Sequence, residues 1–313
     1  MADLTKWDVV VVGGANTDYL IRGKRLPRPG DTIEGEIFQT AIGGKGVNQA
    51  VAASRMGARV AFVGRVGNDA RGDQIIDGLD REGVDTSFIS CTDHGPTGVA
   101  LVMVDDKGEK QILTAPGANH DMRLEDVDRA AKAIRSAKAL LVQLEIPLKV
   151  VQAALKVAAE SSGIAILDPA PAQPLKPELF RSVDIIRPNS GEARVLTGIE
   201  CRNRSSARRA AQALLAKGVR IAIVPAGKEG NLIVSPDSEN WLPHIPVKSI
   251  DATGAGDAFL GTLAARLAQG CDLPSSSKFA NAASALATTK LGAQAGFPTY
   301  DEVFHLLQKH KAA

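Results

Sequence analysis

The chain of 313 residues is 44% hydrophobic and carries 37 basic against 35 acidic residues. That length and apolar content suffice for a sizeable core, and the near balance of charge gives no electrostatic reason to expect a nucleic acid or an anionic membrane as partner. Cys91, Cys201 and Cys271 stand far apart with no CxxC pair, which speaks against a zinc site or a disulfide framework and fits a reducing cytoplasm.

The opening run MADLTKWDVVVVGG has too short an apolar stretch, too soon followed by Asn16 and Asp18, for a signal peptide or a membrane span. It reads as a first strand. Further short runs rich in Val, Ile and Ala follow at 60–64, 139–145, 164–170, 184–189 and 221–227. Helical patterns lie between them, at Gly46 to Gly57, Leu124 to Lys138, Leu148 to Ser161, Ser205 to Lys217 and Ala255 to Gln269. This alternation predicts an α/β fold with a mostly parallel central sheet flanked by helices and joined by right-handed crossovers. Two stretches break the rhythm: residues 18–41, with Pro27, Pro29 and the alternating TIEGEIFQT, and residues 97–115, which read as a hairpin turning at Asp105 to Gly108. They predict a small β-sheet lid within a single domain spanning 1–313, since no repeat or linker divides the chain.

In open parallel sheets ligands sit beyond the carboxyl ends of the strands. The polar residues found there are Asn16, Asp18, Glu145, Asp168, Asn189 and Glu192, with Gly227 after the 221–227 run. Any one of them alone is ordinary turn or cap chemistry. Together they form the hydrogen-bonding set that a polyol needs if its buried hydroxyls are to be paired.

Paired glycines precede a helix in TAIGGKGVNQA, where Gly44 and Lys45 stand at the helix start. Such a loop allows close approach of a ligand and favours negative charge. It lacks the Walker A spacing, and no GxGxxG fingerprint follows the first strand, which argues against a nicotinamide-dependent oxidoreductase. DATGAGD, residues 251–257, is sharper. Its small residues leave backbone N–H groups uncovered at the start of an apolar helix, an anion-binding concavity with Asp257 in the first turn. The ordinary reading makes Asp251 an N-cap and Asp257 a favourable first-turn acid. That reading leaves the glycines unexplained, whereas a carboxylate beside a phosphate cradle suits a group that accepts a proton from an attacking hydroxyl.

DATGAGD before an apolar helix, with GGKGVNQA upstream, resembles the two signatures of the PfkB, or ribokinase-like, carbohydrate kinases. NTDYL, RPGDTIEG, VGRVGNDARG, QLEIP, DPAPA, RPNSGEA and LGAQAGFP look like the ribokinase branch and extend the likeness over essentially the whole chain. The resemblance implies an ATP-dependent sugar kinase with D-ribose as favoured substrate, with deoxyribose, fructose or a nucleoside, or a non-catalytic sugar-sensing role, as alternatives. It implies Asp257 as general base, with Gly254, Ala255 and Gly256 completing the anion hole. Asn16, Asp18, Gly44, Lys45, Asn48 and Glu145 would bind the sugar. Asn189 and Glu192 would act through water on Mg²⁺ and the ATP phosphates, and Gly227, Lys228, Gly230 and Asn281 would border the nucleotide. Asp251 and the Thr253 carbonyl, with carbonyls from 288–296 such as those of Thr288 and Gly292, would hold K⁺. A homodimer clasped through the lid is also implied.

Overall fold

The computed structural model describes residues 7–311, so the first six residues of the opening run lie outside it. Among the described residues thirteen strands occur in chain order: β1 (Val9–Val12), β2 (Asn16–Arg22), β3 (Ile37–Gly43), β4 (Val60–Gly67), β5 (Val84–Thr92), β6 (Gly98–Val104) and β7 (Lys110–Ala115), followed by β8 (Ala139–Val142), β9 (Ile164–Leu167), β10 (Ile185–Ile186), β11 (Ile221–Pro225), β12 (Gly230–Val234) and β13 (Glu239–Pro243). The helices are α1 (Lys45–Arg55), α2 (Ala70–Arg81), α3 (Leu124–Ser136), α4 (Leu148–Ala158), α5 (Pro177–Phe180), α6 (Ser190–Thr197), α7 (Arg204–Ala216), α8 (Ala255–Ala268), α9 (Leu273–Ala287), α10 (Ala293–Gly296) and α11 (Tyr300–Lys311).

Nine strands form one sheet in the order β13-β12-β11-β10-β9-β8-β1-β4-β5. Pairing is parallel from β11 through β5, and β12 and β13 add an antiparallel edge. The β1 sequence VVVV is buried throughout because both faces of this central strand are covered. Val9 and Val11 point to a core layer shared with Val47 and Val51 of α1 and Phe259 and Leu263 of α8. Val10 and Val12 point to the opposite layer, with Val127 of α3, Val150 of α4 and Leu214 of α7. Period-two alternation thus divides one apolar strand between two cores. Among the described residues no helix is long and apolar enough to cross a membrane.

The two irregular stretches meet in a second sheet, ordered β3-β2-β6-β7. The β6–β7 hairpin is antiparallel, and the Asp105 carboxylate closes its turn by accepting the amides of Lys107 and Glu109, both at 2.9 Å. Strand geometry begins only at Ile37 in the second half of TIEGEIFQT, because Pro27, Pro29 and the positive-φ Gly30 hold the preceding segment in an irregular loop. One face of this sheet carries Ala100 and Val102 of β6 with Lys110, Ile112 and Thr114 of β7, and all five line the cleft described next. On the other face Phe38 is 63% exposed and Leu113 71%.

Candidate active site

Four neighbouring strands, β10, β9, β8 and β1, end at one cleft of about 380 Å³. Beyond their carboxyl ends stand Arg187 and Asn189, Asp168, Glu145, and Gly14 with Asn16, in that order across the sheet. The second sheet faces them. The structure brings Asn16, Asp18, Gly44, Lys45, Asn48, Glu145, Asn189, Glu192, Thr253, Gly254, Gly256 and Asp257 to this one cavity, along with Asp168, Arg187 and Lys110. Asn16 and Asp18 reach it from β2 of the second sheet.

Two helices start at the cleft on glycines. Gly44 (φ 86°) is the N-cap of α1 and Gly254 (φ 77°) that of α8, and neither cap has a side chain to cover the first amides. Since Gly254 occupies that position, the ordinary reading of Asp251 as an N-cap does not hold. Its carboxylate turns back to its own loop, accepting the Thr253 amide at 2.9 Å, the Thr253 hydroxyl at 2.7 Å and the Gly292 amide at 2.9 Å. Those donors outweigh its burial and hold its pKa below the usual range. The Thr288 carbonyl accepts the amides of Ile250 (2.7 Å) and Asp251 (3.1 Å).

Asp257 lies in the first turn of α8 and is 5% exposed. The close packing of α8 on α1 places it: a Cβ on Gly261 would stand only 2.6 Å from the Ala52 Cβ. Two side chains of α1 consequently reach its carboxylate, Asn48 Nδ2 to Oδ2 and Gln49 Nε2 to Oδ1, both at 3.1 Å. Gln49 also donates to Asp168 at 2.8 Å and accepts from Gln143 at 2.7 Å. Asn48 accepts from Gln294 Nε2 at 3.0 Å, which fixes its amide as a donor towards Asp257. Burial raises the pKa of Asp257, and Lys45 and the two amide donors only partly oppose it.

Lys45 Nζ stands 3.1 Å from Asp168 and 3.8 Å from Asp257. Burial works against its charge, but the carboxylates of Asp168, Asp257, Glu145 and Glu192 outweigh it and raise its pKa. The Lys45 amide, at the first residue of α1, donates to Glu145 at 2.8 Å. Burial pushes the carboxyls of Asp18 and Glu145 up to about 7, with Asp257 adding repulsion in both cases and Lys45 opposing at Glu145. Asn16, 5% exposed, accepts at its Oδ1 from Asn119 Nδ2 at 2.8 Å, which leaves its own amide group as donor. At the other end of the cleft, Asn189 and Glu192 form a reciprocal capping box at the start of α6, with Asn189 Nδ2 also donating to Glu192 at 2.6 Å.

Gly230, Asn281 and Thr288 line an adjoining cavity of about 260 Å³ that shares Ala252 with the main cleft. Asn281 donates to the Pro243 carbonyl there at 2.9 Å. Gly227 and Lys228 line neither cavity; they form a short turn between β11 and β12.

Arg187, Lys110, Gln49, Gln143, Asn119 and Gln294 were not singled out by motif reasoning. Arg187 has one signal, its place right after the apolar pair Ile185–Ile186. Its guanidinium lies over the Phe259 ring, 5.0 Å from the centroid, and its Nη1 stands 2.8 Å from where a Cβ on Gly256 would be. Its buried Nε has no hydrogen-bond partner, so a cation faces the start of α8 with donor capacity unspent. The other residues are ordinary types whose partners lie far away in sequence.

Comparison with known proteins gives this geometry a family. The family model described as pfkB family carbohydrate kinase matches residues 6–300. A ribokinase from Haemophilus influenzae is 36% identical over 300 residues, covering 96% of this chain and 98% of the relative. A deoxyribokinase from Salmonella typhi is 32% identical over 296 residues, covering 94% and 97%. The structure of Arabidopsis thaliana ribokinase complexed with ribose and ATP superposes with a TM-score of 0.88 at 32% identity, covering 96% and 99%. The chain belongs to the pfkB family of carbohydrate kinases.

Proposed function

We propose that this protein transfers the γ-phosphoryl group of ATP to D-ribose, giving D-ribose 5-phosphate and ADP. The observation that carries this reading is a buried carboxylate, Asp257, one turn inside the uncapped start of α8 and held by Asn48 and Gln49 from the sugar side. Burial makes that carboxylate a better proton acceptor than an exposed one. As the terminal hydroxyl oxygen bonds to the γ-phosphorus, its proton passes to Asp257 and the bond to the β-γ bridging oxygen breaks. The amides of Ala255, Gly256 and Asp257, opened by Gly254, meet the charge on the transferring group, and Arg187 stands beside them.

Asn16, Asp18, Gly44, Lys45, Asn48 and Glu145 hold the sugar hydroxyls. Asp18 and Glu145, with carboxyls pushed up to about 7, can accept or donate to a hydroxyl near neutrality. The adjoining cavity at Gly230 and Asn281 takes the adenine end, with the Gly227–Lys228 turn at its border. Asn189 and the buried Glu192 would act through water on Mg²⁺ and the ATP phosphates, in keeping with an ion that keeps several of its waters. Asp251, the Thr253 carbonyl and carbonyls between Thr288 and Gly296, with Gly292 among them, form the K⁺ site; its low-pKa carboxylate fits that charge. Bound cations supply charge neutralisation of the phosphates and order in the loop. The second sheet acts as a lid, and its apolar outer face, with Phe38 and Leu113 exposed, clasps a second copy in a homodimer. The protein works in the cytoplasm.

The test is ATP-dependent turnover over D-ribose, 2-deoxy-D-ribose, D-fructose, common hexoses and nucleosides. A site that pairs the 2-hydroxyl discriminates strongly against its absence, so kcat/KM for D-ribose should exceed that for deoxyribose by at least about 10²-fold. A preference for deoxyribose reassigns the substrate, and ADP formation with none of these compounds sinks the kinase reading. Turnover should also rise on adding K⁺, and less so in Asp251→Ala. Equal rates in K⁺ and in a bulky organic cation would count against the cation site.

A further inference from the structure

Lys110 is the first residue of β7 and belongs to the lid, yet its Nζ donates to the Thr253 hydroxyl at 3.0 Å, across 143 positions of sequence. Period-two alternation puts it on the strand face shared by Ile112 and Thr114, which looks into the cleft. Thr253 is the residue before Gly254, and its amide and hydroxyl both donate to Asp251. A lid-borne cation therefore touches the loop that opens the anion cradle.

No ion pair holds Lys110 among the described residues; its hydrogen-bond partner is a neutral hydroxyl, at an exposed position. Holding a lysine in one rotamer costs side-chain entropy, and one bond to a neutral hydroxyl repays little of it. The residue is poorly spent as a clamp and well placed as a donor with two hydrogens still free. Across the cradle stands Arg187, buried and with unspent donor capacity. A polyanion entering between lid and loop would have one cation on the floor side and one from above.

We infer that Lys110 is a nucleotide-phosphate ligand delivered by the lid: with ATP bound, its ammonium pairs with a phosphate oxygen, coupling lid closure to a phosphate-bearing nucleotide. This rests on the kinase reading above and adds a specificity to it. The lid should favour the closed position over ATP and its analogues and be indifferent to a nucleoside without phosphates.

The experiment is isothermal titration of Lys110→Met, Lys110→Arg and the wild type with Mg²⁺ and a non-hydrolysable ATP analogue, with adenosine, and with D-ribose. A charge-assisted bond at a half-open site corresponds to about a 10-fold change in affinity. Lys110→Met should bind the analogue about 10-fold more weakly, with adenosine and D-ribose affinities unchanged, and Lys110→Arg should retain most of the affinity. The difference should shrink as salt is raised. Unchanged analogue affinity in Lys110→Met overturns the proposal. So does an equal weakening of analogue, adenosine and ribose, which would make the lysine only a structural tie of the lid. A wild type that binds neither analogue nor sugar would instead bring down the kinase reading, and this proposal with it.

Discussion

Helices α1 and α8 begin in the same way and end up with opposite chemistry. Each starts on a glycine with positive φ, each lacks a capping side chain, and both point into one cleft. At α1 the first amide is taken by the Glu145 carboxylate, and the Lys45 side chain is drawn into the acidic cluster around Asp168. At α8 the carboxylate, Asp257, turns away from its own helix start towards Asn48 and Gln49. A helix N-terminus is an anion site by default. Filling one from within the protein removes it as an anion site, and leaving the other open keeps it available to an anion.

Closing the open terminus should give the largest effect. In Gly254→Val the new side chain would need φ near 77° and would press on Ala293 and Phe297, its Cβ only 2.8 Å from either. Losing an oxyanion donor of this kind costs about 10²- to 10³-fold in kcat, and steady-state kinetics should show it with sugar KM little changed. Emptying the filled terminus should act on the other substrate. Glu145→Gln, measured over a D-ribose series, should raise KM for the sugar about 10-fold, as expected for one charge-assisted bond, and leave the affinity for ATP alone. Loss of ATP affinity in that variant would blur the division between the two helices.

The smallest effect concerns stability. Burial raises the Asp18 carboxyl from its ordinary value to about 7. A carboxyl whose folded pKa lies above its unfolded one favours the native state fully at pH below the unfolded value and loses that advantage as pH rises through about 7. Asp18→Asn should therefore raise Tm over wild type at pH 8, by the equivalent of about 1 kcal/mol or more, and much less at pH 4. Thermal melts at the two pH values decide it; equal shifts would mean that Asp18 is not held in its neutral form.

Much of this was legible in the chain because apolar continuity and glycine chemistry are local. VVVV, ALLV and IAIL read as buried parallel strands because nothing in them suits a solvent-facing side, and the TGAGD run revealed its cradle by having no side chains to block it. The antiparallel edge β12–β13 escaped notice, since GNLIV and ENWLP each carry only a brief and interrupted pattern. The helix over Ala70–Arg81 was missed for a related reason: its apolar face is narrow, with only Gly72, Ile75, Gly78 and Leu79 buried. At the site, the groups that orient Asp257 and Asn16 were invisible. Gln49, Gln143, Asn119 and Gln294 matter through partners about 100 to 250 positions away, and a lone amide carries no local mark of such a partner. Asp168 stood out as a polar strand end, but its pairing with Lys45, 123 positions away, needed the fold.

The proposed phosphoryl transfer depends most on Asp257 as its proton acceptor. The direct measurement is single-turnover transfer of labelled γ-phosphate from ATP to D-ribose in the wild type and in Asp257→Asn, each saturated with sugar, with thermal melts to establish that both are folded. Labelled D-ribose 5-phosphate should form in step with ADP in the wild type and about 10²-fold or more slowly in the variant, with sugar binding retained. Transfer at a near-normal rate in folded Asp257→Asn would contradict it.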